Sequence, residues 1–183
     1  AEAGKHVVCE KPCGLDAAEV QKILDACSRN NVQFMDGVMF MHSHRLHALR
    51  EVLNDGTSIG DLRRIATGFS FCAPDEFLQD NIRVSSDLEP MGCLGDLGWY
   101  NVRFTLWVMN YSMPRAISGR LLSSIQSAGS AEPTPTEFSG EMFFDGGVTA
   151  SFYCSFLTEH QQWAHVSGSK GNLHVNDFVL PFM

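Results

Sequence analysis

Apolar residues along this chain change period more than once, and the changes mark out its elements. His6–Glu10 (HVVCE) is a short valine-rich run that suits a buried parallel strand, and Pro12 ends it. Asp16 can then cap a helix over about Ala17–Asn30, with Glu19 three residues on in a capping-box-like pattern. Val20, Ile23, Leu24 and Cys27 recur there at helical spacing. After Asn30-Asn31, Val32–Met35 reads as a second strand that ends at Asp36-Gly37. Strand, helix and strand in so short a span make a βαβ unit, which normally crosses over right-handed between parallel strands.

A second helix is expected over about Ser43–Asn54, with Leu46, Leu49, Val52 and Leu53 on one face and Asp55-Gly56 as its stop. Asp61–Cys72 reads as a strand. The polar stretch Pro74–Pro90 reads as a loop with at most one short helical turn, and Cys93–Asn110 as a helix. From Pro114 the period is that of strands, near Arg115–Leu122, Glu137–Phe144, Val148–Phe156, Gln161–Ser167 and Asn172–Val175. Asp145-Gly146 signals a hairpin and Lys170-Gly171 another turn, while Ser127–Pro135 reads as a flexible loop. A βαβ stretch, then helices, then mainly antiparallel strands suggests the tail of an α/β domain (residues 1–40) followed by an α+β domain (41–183) built on a large open sheet. AEAGKH opens like the tail of a helix and HVNDFVLPFM stops in an apolar run, so both ends read as cuts through a longer chain.

Composition narrows the function classes. The 183 residues are 44% hydrophobic and 19% charged, ordinary for a globular protein, and the net charge of −8 comes without long basic runs. That excludes an electrostatic footprint for nucleic acid or anionic lipid. No apolar stretch approaches the roughly 20 residues of a membrane span. Cys9, Cys13, Cys27, Cys72, Cys93 and Cys154 lack paired spacing, so they read as free thiols of an intracellular reducing compartment, cytoplasm or an organellar stroma. The same spacing argues against structural zinc, and His42, His44 and His47 lack a third ligand nearby, so no metal site is expected. His42 follows the second strand and is a candidate for the substrate cleft. Trp99, Trp107 and Trp163 with 13 phenylalanines suit a core or, alternatively, a sugar platform; Met35, Met39 and Met41 read as packing.

Two constellations carry chemistry. Gly4–Pro12 (GKHVVCEKP) puts Lys11 at the C-terminal end of a strand, where open α/β sheets bind ligands. A lysine there can hydrogen-bond a substrate hydroxyl and help move its proton; the alternative is a surface lysine before a turn. Gly95–Tyr100 (GDLGWY) puts Asp96 and Tyr100 four apart, on one helical face. A phenol beside an ammonium is a proton donor or acceptor; the alternative is a helix start with a capping aspartate and a core tyrosine.

Together these segments resemble the G-K-H-V-x-x-E-K-P and D-x-G-x-Y motifs of the Gfo/Idh/MocA oxidoreductase family. The order of Met35-Asp36-Gly37, Asn81-Ile82-Arg83 and the strand SFYCSF (Ser151–Phe156) fits as well. The resemblance covers essentially the whole chain and is nearest the branch with glucose–fructose oxidoreductase, dimeric dihydrodiol dehydrogenase and plant members. It implies a remnant of a Rossmann-type nucleotide-binding domain ahead of the α+β domain, and a hydride transfer between NADP or NAD and a sugar, polyol or dihydrodiol-like substrate. Lys11 would orient the substrate, Tyr100 would be the acid/base residue, and Asp96 would hold the substrate or orient the pair. Glu10, Lys11 and Pro12 would line the nicotinamide, and Arg83 would reach the substrate or a phosphate. The open sheet face would join copies into a homo-oligomer.

One departure stands out: no strand–GxGxxG–helix occurs in this sequence, so the chain alone is expected to bind NAD(P) very weakly and to be inactive. That favours an alternative reading as a non-catalytic, interaction-serving subunit of a larger assembly; retention of Lys11, Asp96 and Tyr100 favours the enzyme. The enzymatic reading requires the Lys11 nitrogen and the Tyr100 oxygen to meet in one cleft.

Overall fold

The computed structural model describes residues 1–180; Pro181–Met183, the end of the apolar terminal run, lie outside the described residues. The chain forms two compact units, Ala1–Met39 and Phe40–Met183.

The first unit is the expected βαβ stretch. Strands β1 (Val7–Cys9) and β2 (Phe34–Asp36) pair in parallel, joined by helix α1 (Ala17–Arg29). Asp16 caps α1 by accepting from the Glu19 N–H at 2.8 Å, and Glu19 accepts in return from the Leu15 N–H at 2.7 Å. The reciprocal bond thus lands one residue before the cap. β1 is not the buried strand expected from its valines. With only two strands and one helix present, Val8 and Met35 stand opposite each other and face out, and Val8 is 68% exposed. Met35 and Met39 are likewise exposed rather than packed.

The second unit is built on a six-stranded sheet. Its strands are β3 (Leu62–Ser70), β4 (Ala116–Ile125), β5 (Thr134–Phe143), β6 (Thr149–Ser155), β7 (Gln161–Gly168) and β8 (Asn172–Val175), in spatial order β4-β5-β6-β3-β7-β8. Every pairing is antiparallel except β3 with β6, which run parallel. Period-2 alternation sends Ile65, Thr67, Phe69, Ala150, Phe152, Cys154, Ala164 and Val166 to the buried face. The opposite face of β3, β6 and β7 is mixed, with Ala66, Ser151, Tyr153, Trp163 and His165 all half-buried.

Helix α2 (Arg45–Asn54) follows a 3-10 turn at Met39–His42. The stretch expected as a loop with one short helical turn holds a short helix, α3 (Asp75–Asp80), and in addition a 3-10 turn at Ile82–Val84. The region read as one helix over Cys93–Asn110 is two: a π-helical turn, Leu94–Gly98, runs into α4 (Trp99–Val108). Its widening coincides with Gly95 and Gly98, where a Cβ would run into the Glu89 carboxylate and Leu94 respectively. α4 packs on the buried sheet face. Asn101, fully buried there, donates to Thr67 Oγ1 (3.1 Å) and the Tyr153 carbonyl (3.2 Å). An aromatic cluster of Phe40, Phe69, Tyr100, Phe104 and Phe178 fills the centre, with rings 5.3–6.4 Å apart. The loop read over Ser127–Pro135 is shorter, since Thr134 already begins β5. The Asp145-Gly146 hairpin is a 3-10 turn over Asp145–Gly147, with Gly146 and Gly147 both at positive φ (76° and 79°).

Candidate active site

In the first unit, the C-terminal ends of β1 and β2 release Glu10-Lys11-Pro12 and Gly37. Glu10 is exposed, Lys11 and Pro12 half-buried, and the Lys11–Pro12 peptide is cis. Gly37 donates to the Cys9 carbonyl at 2.8 Å, and a Cβ on it would come 3.1 Å from Glu10 Oε2. The two strand ends therefore abut.

In the second unit, the π turn and the first turn of α4 carry Asp96 and Tyr100, both buried at 7% and 4% exposure. The Tyr100 ring meets Phe69 edge-on at 5.5 Å and lies 6.2 Å from Phe40. Asp96 Oδ1 accepts from Arg83 Nε at 3.0 Å. Arg83 itself sits on the 3-10 turn that Asn81 caps, because Asn81 Oδ1 accepts from the Arg83 N–H at 3.0 Å. So the sequence motifs Asn81-Ile82-Arg83 and Asp96–Tyr100 form one cluster, and Arg83 spends its Nε–H on a carboxylate of its own chain. His42 ends its 3-10 turn exposed, as are His44 and His47. Among the described residues no group of three His, Cys, Asp or Glu side chains has the arrangement of a metal site.

Sequence reasoning missed one member of this cluster, Glu89, and gave Asn81 no role beyond its place in the Asn81-Ile82-Arg83 pattern. Glu89 sits in a stretch that reads as solvated loop, yet it is buried beside Gly95 and accepts from the Met91 N–H at 3.3 Å. The only signal in the sequence is the missing side chain at Gly95, which leaves it room. Cys93 and Cys154 face each other at 4.0 Å in the core, and their mutual hydrogen bond, followed by burial, pushes the Cys154 thiol far above the usual thiol range.

A nicotinamide cofactor needs two things: strand-end groups for its reactive ring, and a helix N-terminus for its pyrophosphate. The first unit offers Glu10, Lys11 and Pro12 for the ring. It does not offer the second, because Asp16 already accepts from the Glu19 N–H at the start of α1, and an acidic cap repels phosphate. The residues present fit the nicotinamide end of a dinucleotide and not its pyrophosphate.

Comparison with known proteins divides the chain near the boundary of its two compact units. The family model described as oxidoreductase family, NAD-binding Rossmann fold, matches residues 1–38, and that described as GFO/IDH/MocA C-terminal domain matches residues 46–174. The trans-1,2-dihydrobenzene-1,2-diol dehydrogenase of Mus musculus is 34% identical over 98% of this chain and 50% of its own length. The D-xylose 1-dehydrogenase (NADP(+)) 2 of Haloferax volcanii is 30% identical over 96% of this chain and 50% of its own. Among solved structures, an aldose-aldose oxidoreductase from Caulobacter crescentus complexed with glycerol superposes with a TM-score of 0.84 at 24% identity, covering 97% of this chain and 51% of that one. GenD2 from gentamicin A biosynthesis, in complex with NAD, gives 0.81 at 22%, covering 96% and 48%. The chain thus spans about half the length of the curated relatives it matches.

Proposed function

The chain belongs to the Gfo/Idh/MocA oxidoreductase family, and on that premise we propose that it carries the proton-handling half of a nicotinamide-dependent dehydrogenase acting on a sugar, polyol or dihydrodiol-like substrate. The observation that carries the reading is the Asp96–Tyr100 segment, a buried carboxylate on the π turn and a buried phenol on the first turn of α4, in the domain the family model covers. The relatives whose names specify a diol or D-xylose substrate support this substrate class.

In this reading Tyr100 takes the hydroxyl proton of the substrate as its carbon is oxidised, and returns it in the reverse direction. Lys11, on the first unit, is the candidate to hydrogen-bond a substrate oxygen and steady the charge that develops there. Asp96 orients the pair or a second substrate hydroxyl, and His42 lines the substrate side. Bound NADP or NAD supplies the hydride acceptor. Glu10, Lys11 and Pro12 would hold the nicotinamide end of that cofactor. Arg83 belongs to the substrate side through its contact with Asp96.

Lys11→Ala and Tyr100→Phe, made in the protein as its natural gene encodes it, are each expected to lower turnover at least about tenfold. Initial rates with NADP and with NAD, on D-xylose and on trans-1,2-dihydrobenzene-1,2-diol, measure this. Unchanged turnover in both variants defeats the assigned roles.

The proposal extends to assembly. The face of the sheet away from α4 carries Trp163, His165 and Tyr153, each half-buried, and is the surface on which a second copy would pack. Sedimentation equilibrium of wild type against Trp163→Glu tests this. No helix among the described residues is long and apolar enough to cross a membrane, and the six thiols support a reducing intracellular setting, cytoplasmic or stromal.

A further inference from the structure

We propose that Arg83 is a positioning residue that acts through Asp96 and does not touch the substrate. The inference rests on the active-site reading above and deepens it.

Three observations carry it. First, the pair is direct: Arg83 Nε lies 3.0 Å from Asp96 Oδ1, a charge-assisted hydrogen bond. Second, the arginine is held from both sides. Before it, Asn81 Oδ1 accepts from its backbone N–H at 3.0 Å and reaches its Nη1 at 3.5 Å. After it, Val84 is fully buried, and the Val84 carbonyl accepts from Ser127 Oγ at 2.7 Å. An arginine recruited by a mobile ligand has no need of so fixed a base. Third, the segment it grips lacks stiffness of its own. Asp96 lies between Gly95 and Gly98 in a π turn, where the backbone has more freedom than in an ordinary helix. Glu89 packs against Gly95 from one side, and the Arg83 bond fixes the carboxylate from another.

Magnitude separates this role from a structural one. The Arg83 side chain is 41% exposed and that of Asp96 only 10%. A pair open to water at one end adds little to global stability. Its loss should instead be felt locally, as looser placement of Asp96 and of Tyr100 one turn on, and small misplacements are costly to chemistry.

The test uses Arg83→Gln, Arg83→Lys, Asp96→Asn and the Arg83→Gln/Asp96→Asn double variant of the natural full-length protein. D-xylose and trans-1,2-dihydrobenzene-1,2-diol, each with NADP, are the probe substrates. Arg83→Gln is expected to lower kcat about tenfold with KM within twofold, Arg83→Lys to recover part of the loss, and the double variant to be no worse than Asp96→Asn alone. Hydrogen exchange gives a readout without substrate. In Arg83→Gln the amides of residues 94–100 should exchange about tenfold faster while those of β3 and β6 do not change. A KM rise with unchanged kcat, losses that multiply in the double variant, or unaltered exchange at 94–100 would each overturn the inference. Tyr100→Phe is the control. If it turns over like wild type, the active-site reading itself fails; if it is inactive while Arg83→Gln behaves as wild type, only the role of Arg83 does.

Discussion

Tyr100 shows how far individual residues speak from sequence. Its spacing from Asp96 made it a candidate proton donor or acceptor and equally a core tyrosine beside a capping aspartate. What spacing did not reveal is that its ring would sit inside a five-membered aromatic cluster, edge-on to Phe69. Arg83 was legible as a candidate only through the Asn81-Ile82-Arg83 pattern. Its partner was not, because the twelve intervening residues carry no periodicity from which to infer that Asp96 folds back onto it. His165 gives a prediction at the same scale. Burial, and then the stacked His174 ring 4.2 Å away, hold its imidazole below the ordinary histidine value. The unfolded chain then binds the proton more readily, so stability falls with acidification through the window below about pH 6.5. Urea midpoints at two pH values either side of that window should differ in wild type, and His165→Gln should narrow the difference.

Elements were legible where one local rule dominated. α1 begins where Asp16 and Glu19 said it would, and Asp16→Ala is expected to cost about 1 kcal/mol, read from urea unfolding. β4 to β8 fall where alternation and turns put them, within a few residues. The π turn was not legible, because an inserted residue leaves the apolar period nearly unchanged over one turn. Nor was the parallel pairing of β3 with β6, which no local signal encodes. Just ahead of the π turn, Gly92 has φ +49°, and a Cβ there would run into the Pro135 carbonyl oxygen of β5. Gly92→Ala should therefore cost about 3 kcal/mol, the scale of a forced shift in packed backbone. It should unfold at lower urea than wild type and disturb Asp96 as well.

For the molecule as a whole, the division of chemistry between the two units has a measurable consequence. In the proposed reading the strand ends of the first unit would hold the nicotinamide, while its helix α1 starts with an acidic cap. Calorimetric titration of this 183-residue chain with NADP is expected to show no binding in the micromolar range; micromolar affinity would refute the reading that these residues do not hold the pyrophosphate.

The sheet order also bears on how the protein is made. β3 lies between β6 and β7, and its first partner in β6, Thr149 opposite Arg64, is 85 residues further along the chain. During synthesis β3 leaves the ribosome with both hydrogen-bonding edges unpaired and waits for most of the domain to follow. A nascent chain stalled before β6 should bind chaperones, and one stalled well after β7 should release them.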